Sequence, residues 1–209
     1  MCTAVTYRTR DFYFGRTLDY EYSFGEEVTV APRNFPLSFR EMGKLERHHA
    51  IIGMARAERG YPLYFDGVNE KGLAMAGLNF VGNAHYEPSA PGRDNVASFE
   101  LIPWILAQCE NVTQARELLG KIRVTDAAFS PELPPSQLHW IIADREESVT
   151  VEAVREGLRV HPNPVGVLTN NPPFDWQLFR LNDYMHLSPR EPRNRFGPGL
   201  ELEPYSRGM

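Results

Sequence analysis

Met1-Cys2-Thr3-Ala4-Val5-Thr6-Tyr7 opens the chain, and Phe12-Tyr13-Phe14-Gly15-Arg16-Thr17-Leu18 follows after Thr9-Arg10-Asp11. Both stretches alternate and are rich in β-branched and aromatic residues, and polar residues able to turn lie between them. The pattern predicts an N-terminal hairpin over residues 2–7 and 12–18. Gly15 interrupts the second strand, where a glycine predicts a bulge or a close backbone approach. Cys2 sits directly behind the initiator methionine. Cysteine is small enough for an aminopeptidase to remove Met1, and Cys2 would then carry a thiol and a free α-amine together. An α-amine titrates near ~7.7–8.0, so it can act as a base near neutral pH. Nucleophiles paired with an N-terminal amine are an established catalytic device. Taken alone, Cys2 also reads as a buried strand thiol.

Outward from the hairpin, Val28-Thr29-Val30-Ala31 reads as a short strand closed by Pro32, and residues 33–48 read as loop. Ala50 to Ala55 is a strand. Residues 61–68 are extended, and Asn69-Glu70-Lys71-Gly72 turns into Leu73-Ala74-Met75-Ala76-Gly77-Leu78, a second hairpin. Its small residues and glycines predict close approach of another layer. Residues 83–95 are a polar surface loop. Ser98 is the expected N-cap of a helix through Cys109, striped by Leu101, Ile105 and Cys109 with Trp104 beside it. A second helix is expected over 113–121, started by Thr113 and Glu117 and buried through Leu118, Leu119 and Ile122. Residues 124–136 read as proline-rich loop. Strands are expected over 138–144, 149–154, 157–160 and 165–170, and a helix over 175–187. Strands, then two helices, then strands predict an α+β fold with sheet on sheet and helices outside.

Composition narrows the classes. A chain of 209 residues suits one domain, expected over residues 1–209, and the formal charge of −5 without a basic block excludes an obvious nucleic-acid binder. No apolar run is long enough to span a membrane. The start lacks the basic and apolar regions of a signal peptide. The chain has two cysteines, Cys2 and Cys109, which predicts a reduced, cytoplasmic setting without a disulfide framework. Histidines 48, 49, 85, 139, 161 and 186 show no metal spacing, so no metal site is expected. His139 lies in a buried strand and reads as a satisfied core histidine. Cys109 lies on a helix stripe, which favours packing over a papain-like dyad.

Three groups beyond Cys2 can carry chemistry. Arg16 and Asp19 fall at the end of the strand paired with that of Cys2. A guanidinium there favours the thiolate, and a carboxylate can accept from the α-amine. Asn79, in Gly77-Leu78-Asn79-Phe80, sits at a strand end where its amide can donate to a developing oxyanion. Asn170, in Leu168-Thr169-Asn170-Asn171-Pro172, sits at another. Each has a plainer reading: a surface ion pair for the first, turn chemistry for the two asparagines.

Met1-Cys2-Thr3-Ala4, residues 14–21 (FGRTLDYE), 66–73 (DGVNEKGL), 76–80 (AGLNF) and 166–170 (GVLTN) with Phe174-Asp175-Trp176 resemble, in order, the choloylglycine hydrolase family. That family holds conjugated bile acid hydrolases and penicillin V acylases. The resemblance implies an αββα sandwich of the N-terminal nucleophile hydrolase type and no cofactor. It implies Cys2 as nucleophile, Arg16 and Asp19 beside thiol and amine, and Asn79 and Asn170 shaping the oxyanion hole. It implies a small-molecule substrate, cytoplasmic location and a homo-oligomer, a tetramer in the family. Asn79 favours conjugated bile salts over penicillin V, because some penicillin V acylases carry Tyr there. Leu18, Tyr22, Phe24, Phe65, Leu133 and Leu138 are the expected apolar pocket. Family members continue well beyond this length and add an Arg in a Ser-Arg-Phe context, which Ser206-Arg207-Gly208 does not match. The C-terminal part of the family domain is therefore expected to be missing. The other readings are a penicillin V acylase and a truncated remnant that binds bile acids without turnover.

Overall fold

In the computed structural model, residues 1–185 are described together with Leu187, Gly197, Gly199 and Leu200. Ser206-Arg207-Gly208 and His186 lie outside the described residues. The chain forms two units, Met1–Phe174 and Asp175–Met209.

The expected hairpin forms from β1 (Thr3–Arg8) and β2 (Phe12–Thr17), with Ala4 opposite Arg16 and Val5 opposite Gly15. The register is unbroken, and open space surrounds the position a Gly15 Cβ would take. Gly15 therefore makes neither the bulge nor the close approach that its sequence position suggested. β3 (Glu27–Ala31) follows as expected. Residues 33–48 are not all loop, because β4 (Leu37–Phe39) and β5 (Gly43–Leu45) pair as a small hairpin. Leu37 and Phe39 are buried, and Phe39 meets Trp104 edge-on at 4.8 Å, so tertiary contacts hold this hairpin despite its weak local pattern.

β6 (Ile51–Glu58) is followed by β7 (Tyr61–Tyr64) and β8 (Asp66–Asn69), a break at Phe65 in the predicted extended segment. β9 (Ala74–Asn79) completes the second hairpin. Its glycines do admit another layer: a Gly67 Cβ would lie 3.2 Å from Leu106 Cδ1. β10 (Asp94–Ala97) leads into a 3-10 turn and then α1 (Leu101–Gln108). The turn is not capped by Ser98; Glu100 Oε2 accepts the Ala97 N–H at 3.1 Å instead. Every α1 residue except Gln108 is buried, so the helix is core all round rather than striped. α2 (Val112–Leu119) is capped by Asn111, whose side chain accepts the Gln114 N–H at 2.9 Å, rather than started by Thr113. Val112, Ala115 and Leu119 form its buried side.

β11 (Ile122–Thr125) runs parallel to β10, a pairing that the loop reading of 83–95 and 124–136 did not contain. β12 (Leu138–Ala143), β13 (Ser148–Val154), β14 (Gly157–Pro162) and β15 (Val167–Leu168) close the first unit. α3 (Phe174–Arg180) and a 3-10 turn over Leu181–Tyr184 stand where one helix was expected.

Beside the β4–β5 and β10–β11 pairs, two larger sheets build the first unit: a three-stranded one in the order β15-β1-β2, and an eight-stranded one, β14-β13-β12-β9-β8-β6-β3, with β7 on β6. Alternation divides the large sheet into two faces. Met75, Trp140, Ile142, Val149 and Val151 join one cluster with the residues of α1 and α2. Ala74, Ala76, Leu78, His139, Ile141, Thr150 and Glu152 point the other way and are buried as well. That face meets the small sheet, from which Arg16 and Asn170 reach across to β9. Each fully buried Leu or Ile contributes about 1.5–3 kcal/mol. Farther along the large sheet, Val28, Val30, Ile52 and Val68 are exposed.

Candidate active site

Four strand ends meet at one place, and the residues between them explain why. Gly166 adopts φ +70°, and a Cβ there would lie 2.0 Å from Thr6 Oγ1. Only glycine fits both constraints. Its carbonyl accepts the Thr6 N–H at 2.7 Å, which lays the chain beside β1 and sets Ala4 opposite Leu168. Two residues past β15, Asn170 arrives next to Cys2.

Asn170 Oδ1 accepts the Cys2 N–H at 2.6 Å, and Asn170 Nδ2 donates to Asn79 O at 3.1 Å. One side chain thus joins the ends of β1, β9 and β15. Cys2 itself is 1% exposed. Arg16, its side chain also buried, donates to Gly77 O at 3.0 Å and pairs with Asp66 Oδ2 at 3.4 Å. Arg16 Nε is buried and has no hydrogen-bond partner among the described residues. Asp19 Oδ2 accepts from the N-terminal amine at 2.8 Å, and this hydrogen bond raises the amine above its ordinary range. The amine in this structure belongs to Met1, and Cys2 contributes a backbone N–H.

Asn79 Oδ1 accepts the Tyr20 O–H at 3.3 Å, which leaves its Nδ2 to donate. Tyr20 was missed by the sequence reading. Burial, then the negative charge available at Cys2, pushes its hydroxyl up, so the proton stays on the phenol. Its signal was present: it directly follows Asp19 in the FGRTLDYE segment.

A cleft of about 150 Å³ lies alongside, lined in part by Tyr20, Phe24, Phe65, Gly77, Leu133 and Leu138. Phe24 is its aromatic hinge point, 4.9 Å from Tyr20, 4.8 Å from Tyr22 and 5.9 Å from Phe65 between ring centroids. Four of the six expected pocket residues therefore come together. Tyr22 is exposed and stands outside the cleft, with its ring tilted against that of Phe24. Leu18 lines a different, wider groove of about 710 Å³ with Phe12, Phe14, Val28 and Ile52.

Cys109 is a packing thiol: burial first, and Glu117 second, push it up to about 11. No cluster of His, Cys, Asp and Glu fit to hold a metal ion occurs among the described residues. Among them, too, no helix is long and apolar enough to cross a membrane. The arrangement offers a thiol, a guanidinium, a carboxylate at the chain's first amine, an amide donor and an apolar cleft. That set suits nucleophilic attack on a carbonyl beside an apolar group.

The profile of linear amide C–N hydrolases, choloylglycine hydrolase family, matches residues 2–209. A bile salt hydrolase/transferase of Lactiplantibacillus plantarum is 50% identical over 209 residues, which is 100% of this chain and 64% of that protein. A conjugated bile acid hydrolase of Lactobacillus gasseri is 35% identical over 212 residues, 100% of this chain and 67% of the relative. Among solved structures, a variant of the conjugated bile acid hydrolase from Clostridium perfringens superimposes with a TM-score of 0.90 at 35% identity, covering 99% of this chain and 65% of that one. Penicillin V acylase from Agrobacterium tumefaciens matches with a TM-score of 0.70 at 23% identity over 88% of this chain and 56% of that one, a likeness of fold alone. The chain thus spans about two thirds of the length of these relatives.

Proposed function

The chain belongs to the choloylglycine hydrolase family of linear amide C–N hydrolases, and from that premise we propose that it carries the nucleophile half of an amidohydrolase acting on glycine- or taurine-conjugated bile salts. The observation that supports this most is the Asn170 bridge, which holds Cys2 at the junction of three strand ends. Loss of Met1 turns the Cys2 backbone N–H into an α-amine at the same spot, still within reach of Asn170 Oδ1. Asp19, which accepts from the first amine of the chain, then lies free beside it to hold the new one.

The reaction follows from these groups. The Cys2 α-amine takes the thiol proton, and the thiolate forms a bond to the amide carbon of the substrate. The carbonyl oxygen becomes an oxyanion, to which Asn79 Nδ2 donates. The C–N bond breaks as the protonated α-amine gives its proton to the departing amine of glycine or taurine. Water, deprotonated by the α-amine, then attacks the thioester and releases the bile acid and the free thiol. One such oxyanion donor contributes about 10²–10³ in rate. Arg16 supplies a fixed positive charge behind the site.

The cleft around Phe24, Phe65, Leu133 and Leu138 suits a rigid apolar ring system, and Asn79 favours a bile salt over penicillin V. A reduced, cytoplasmic setting fits two free thiols, Cys2 and Cys109. Residues 1–209 are taken as part of one catalytic domain that assembles as a homo-oligomer.

The test is turnover of purified protein on glycocholate, taurocholate and penicillin V, beside Cys2→Ala. Release of glycine or taurine that Cys2→Ala abolishes supports the reading. Preference for penicillin V overturns the substrate. Glycocholate binding by folded protein without product overturns the hydrolase and leaves a binding role.

A further inference from the structure

Under the site lies a buried histidine–glutamate pair that the reaction above does not use. Glu152 on β13 is 1% exposed, and His139 on β12 is fully buried. The two stand one step beyond the Trp140–Val151 pair of their ladder, both on the face toward the small sheet. His139 Nδ1 lies 3.1 Å from Glu152 Oε1, and His139 Nε2 lies 2.7 Å from Thr169 O. Glu152 Oε1 also accepts the Phe174 N–H at 2.9 Å. Phe80 stacks on the imidazole at 4.4 Å and 9°. His161 Nε2 is 3.6 Å from Glu152 Oε2.

A carbonyl only accepts, so Nε2 carries the hydrogen given to Thr169 O, while Nδ1 and the Glu152 carboxyl share a hydrogen between them. Such a pair is a poor stabiliser, because burying polar groups in a dry layer costs free energy that packed apolar residues would not. What the pair does beyond itself is more specific. Its two outward bonds go to Thr169 O and Phe174 N, and these bracket the segment that carries Asn170. The segment is supported from Asn171 as well, which donates to Val81 O at 2.7 Å and accepts from Asn83 at 3.1 Å.

We infer that His139 and Glu152 are a positioning pair, which clamps the Thr169–Phe174 segment at both ends and so aims Asn170 at Cys2. The ring fixes the carbonyl before Asn170 and the carboxylate fixes the N–H after it. Neither touches a reacting atom. Their place in catalysis rests on the function proposed above; their hold on Asn170 does not.

The test uses the whole chain with Glu152→Gln and His139→Gln, read in two ways. By hydrogen exchange, the amides of Asn170, Asn171 and Phe174 should exchange about tenfold faster or more, while β9 and β12 keep their protection. In turnover, kcat should fall about tenfold to a hundredfold with KM within about twofold, as a misaimed nucleophile requires. Unchanged exchange in the segment of folded variants overturns the inference. So does a loss confined to KM. Should wild type turn over no substrate, the proposed function falls and the exchange arm still decides the clamp. Should both variants lose the whole sheet, nitrogen NMR of the wild-type ring decides: a protonated Nε2 supports the clamp on Thr169 O, and a bare Nε2 overturns it.

Discussion

Asn170 Oδ1 accepts the Cys2 backbone N–H at 2.6 Å across 168 positions of sequence. The bond closes the junction of the two sheets, since the same side chain also donates to Asn79 O. Asn170→Ala removes both bonds and leaves a buried N–H without a partner, a cost of about 1–3 kcal/mol. Chemical denaturation should show that loss, together with a fall in turnover of about a hundredfold or more. A variant as stable and active as wild type would remove Asn170 from the site.

Mass and mutation test Cys2. The intact mass of active protein should be lower than the encoded chain by one methionine. Cys2→Ala should retain the fold and release no product, and Cys2→Ser should be slow because a hydroxyl is a far weaker nucleophile near neutral pH.

Tyr20→Phe keeps the ring in its edge-on contact with Phe24 and removes only the O–H given to Asn79 Oδ1. Stability should change by about 1 kcal/mol. With its oxygen freed, the Asn79 amide loses its fixed aim, so kcat should fall about tenfold and KM little. A KM effect alone would instead assign Tyr20 to substrate binding.

Gly166→Ala meets Thr6 Oγ1 at 2.0 Å and a φ of +70°. The expected loss is about 1–3 kcal/mol in a urea melt. Thr6→Ser, Gly166→Ala should recover little, because the oxygen that clashes remains.

Alkaline stability tests the core. Burial raises Tyr64 to about 12 and raises Tyr86 as well. The unfolded chain loses these protons near ~10. Between the two values the folded state holds more protons, so stability is fully present below pH ~10 and drains as pH rises through about 12. Tyr64→Phe should move the alkaline unfolding midpoint upward in a circular-dichroism titration. An unchanged midpoint would exclude Tyr64 as a driver.

Strand ends carried most of what could be read from sequence. Alternation places Cys2, Arg16, Asn79 and Asn170 at the termini of strands, and a sandwich brings such termini to one rim. The pairing of β10 with β11 was hidden because it is parallel and long-range, with Asp94 and Asn95 in a segment that reads as loop. Leu18 and Tyr22 were grouped with Phe24 because alternation gives a face but not which groove that face borders. His139 was legible as a satisfied core histidine. Its partner Glu152 was not, since it lies 13 residues away and meets the ring only through the ladder register.

The length of chain between Cys2 and Asn170 has a consequence in time. On the ribosome the first residues emerge early, and the partner that later fastens Cys2 has not yet been made. At about 5–20 residues per second, its synthesis comes on the order of ten seconds later. Throughout that interval the start of β1 is paired with β2 alone, and the Met1–Cys2 peptide bond is open to an aminopeptidase. Once Asn170 arrives, Cys2 is buried while Met1 stays exposed. Excision is thereby easiest before the chain is complete, and slow synthesis of the C-terminal segments lengthens the time available to the aminopeptidase.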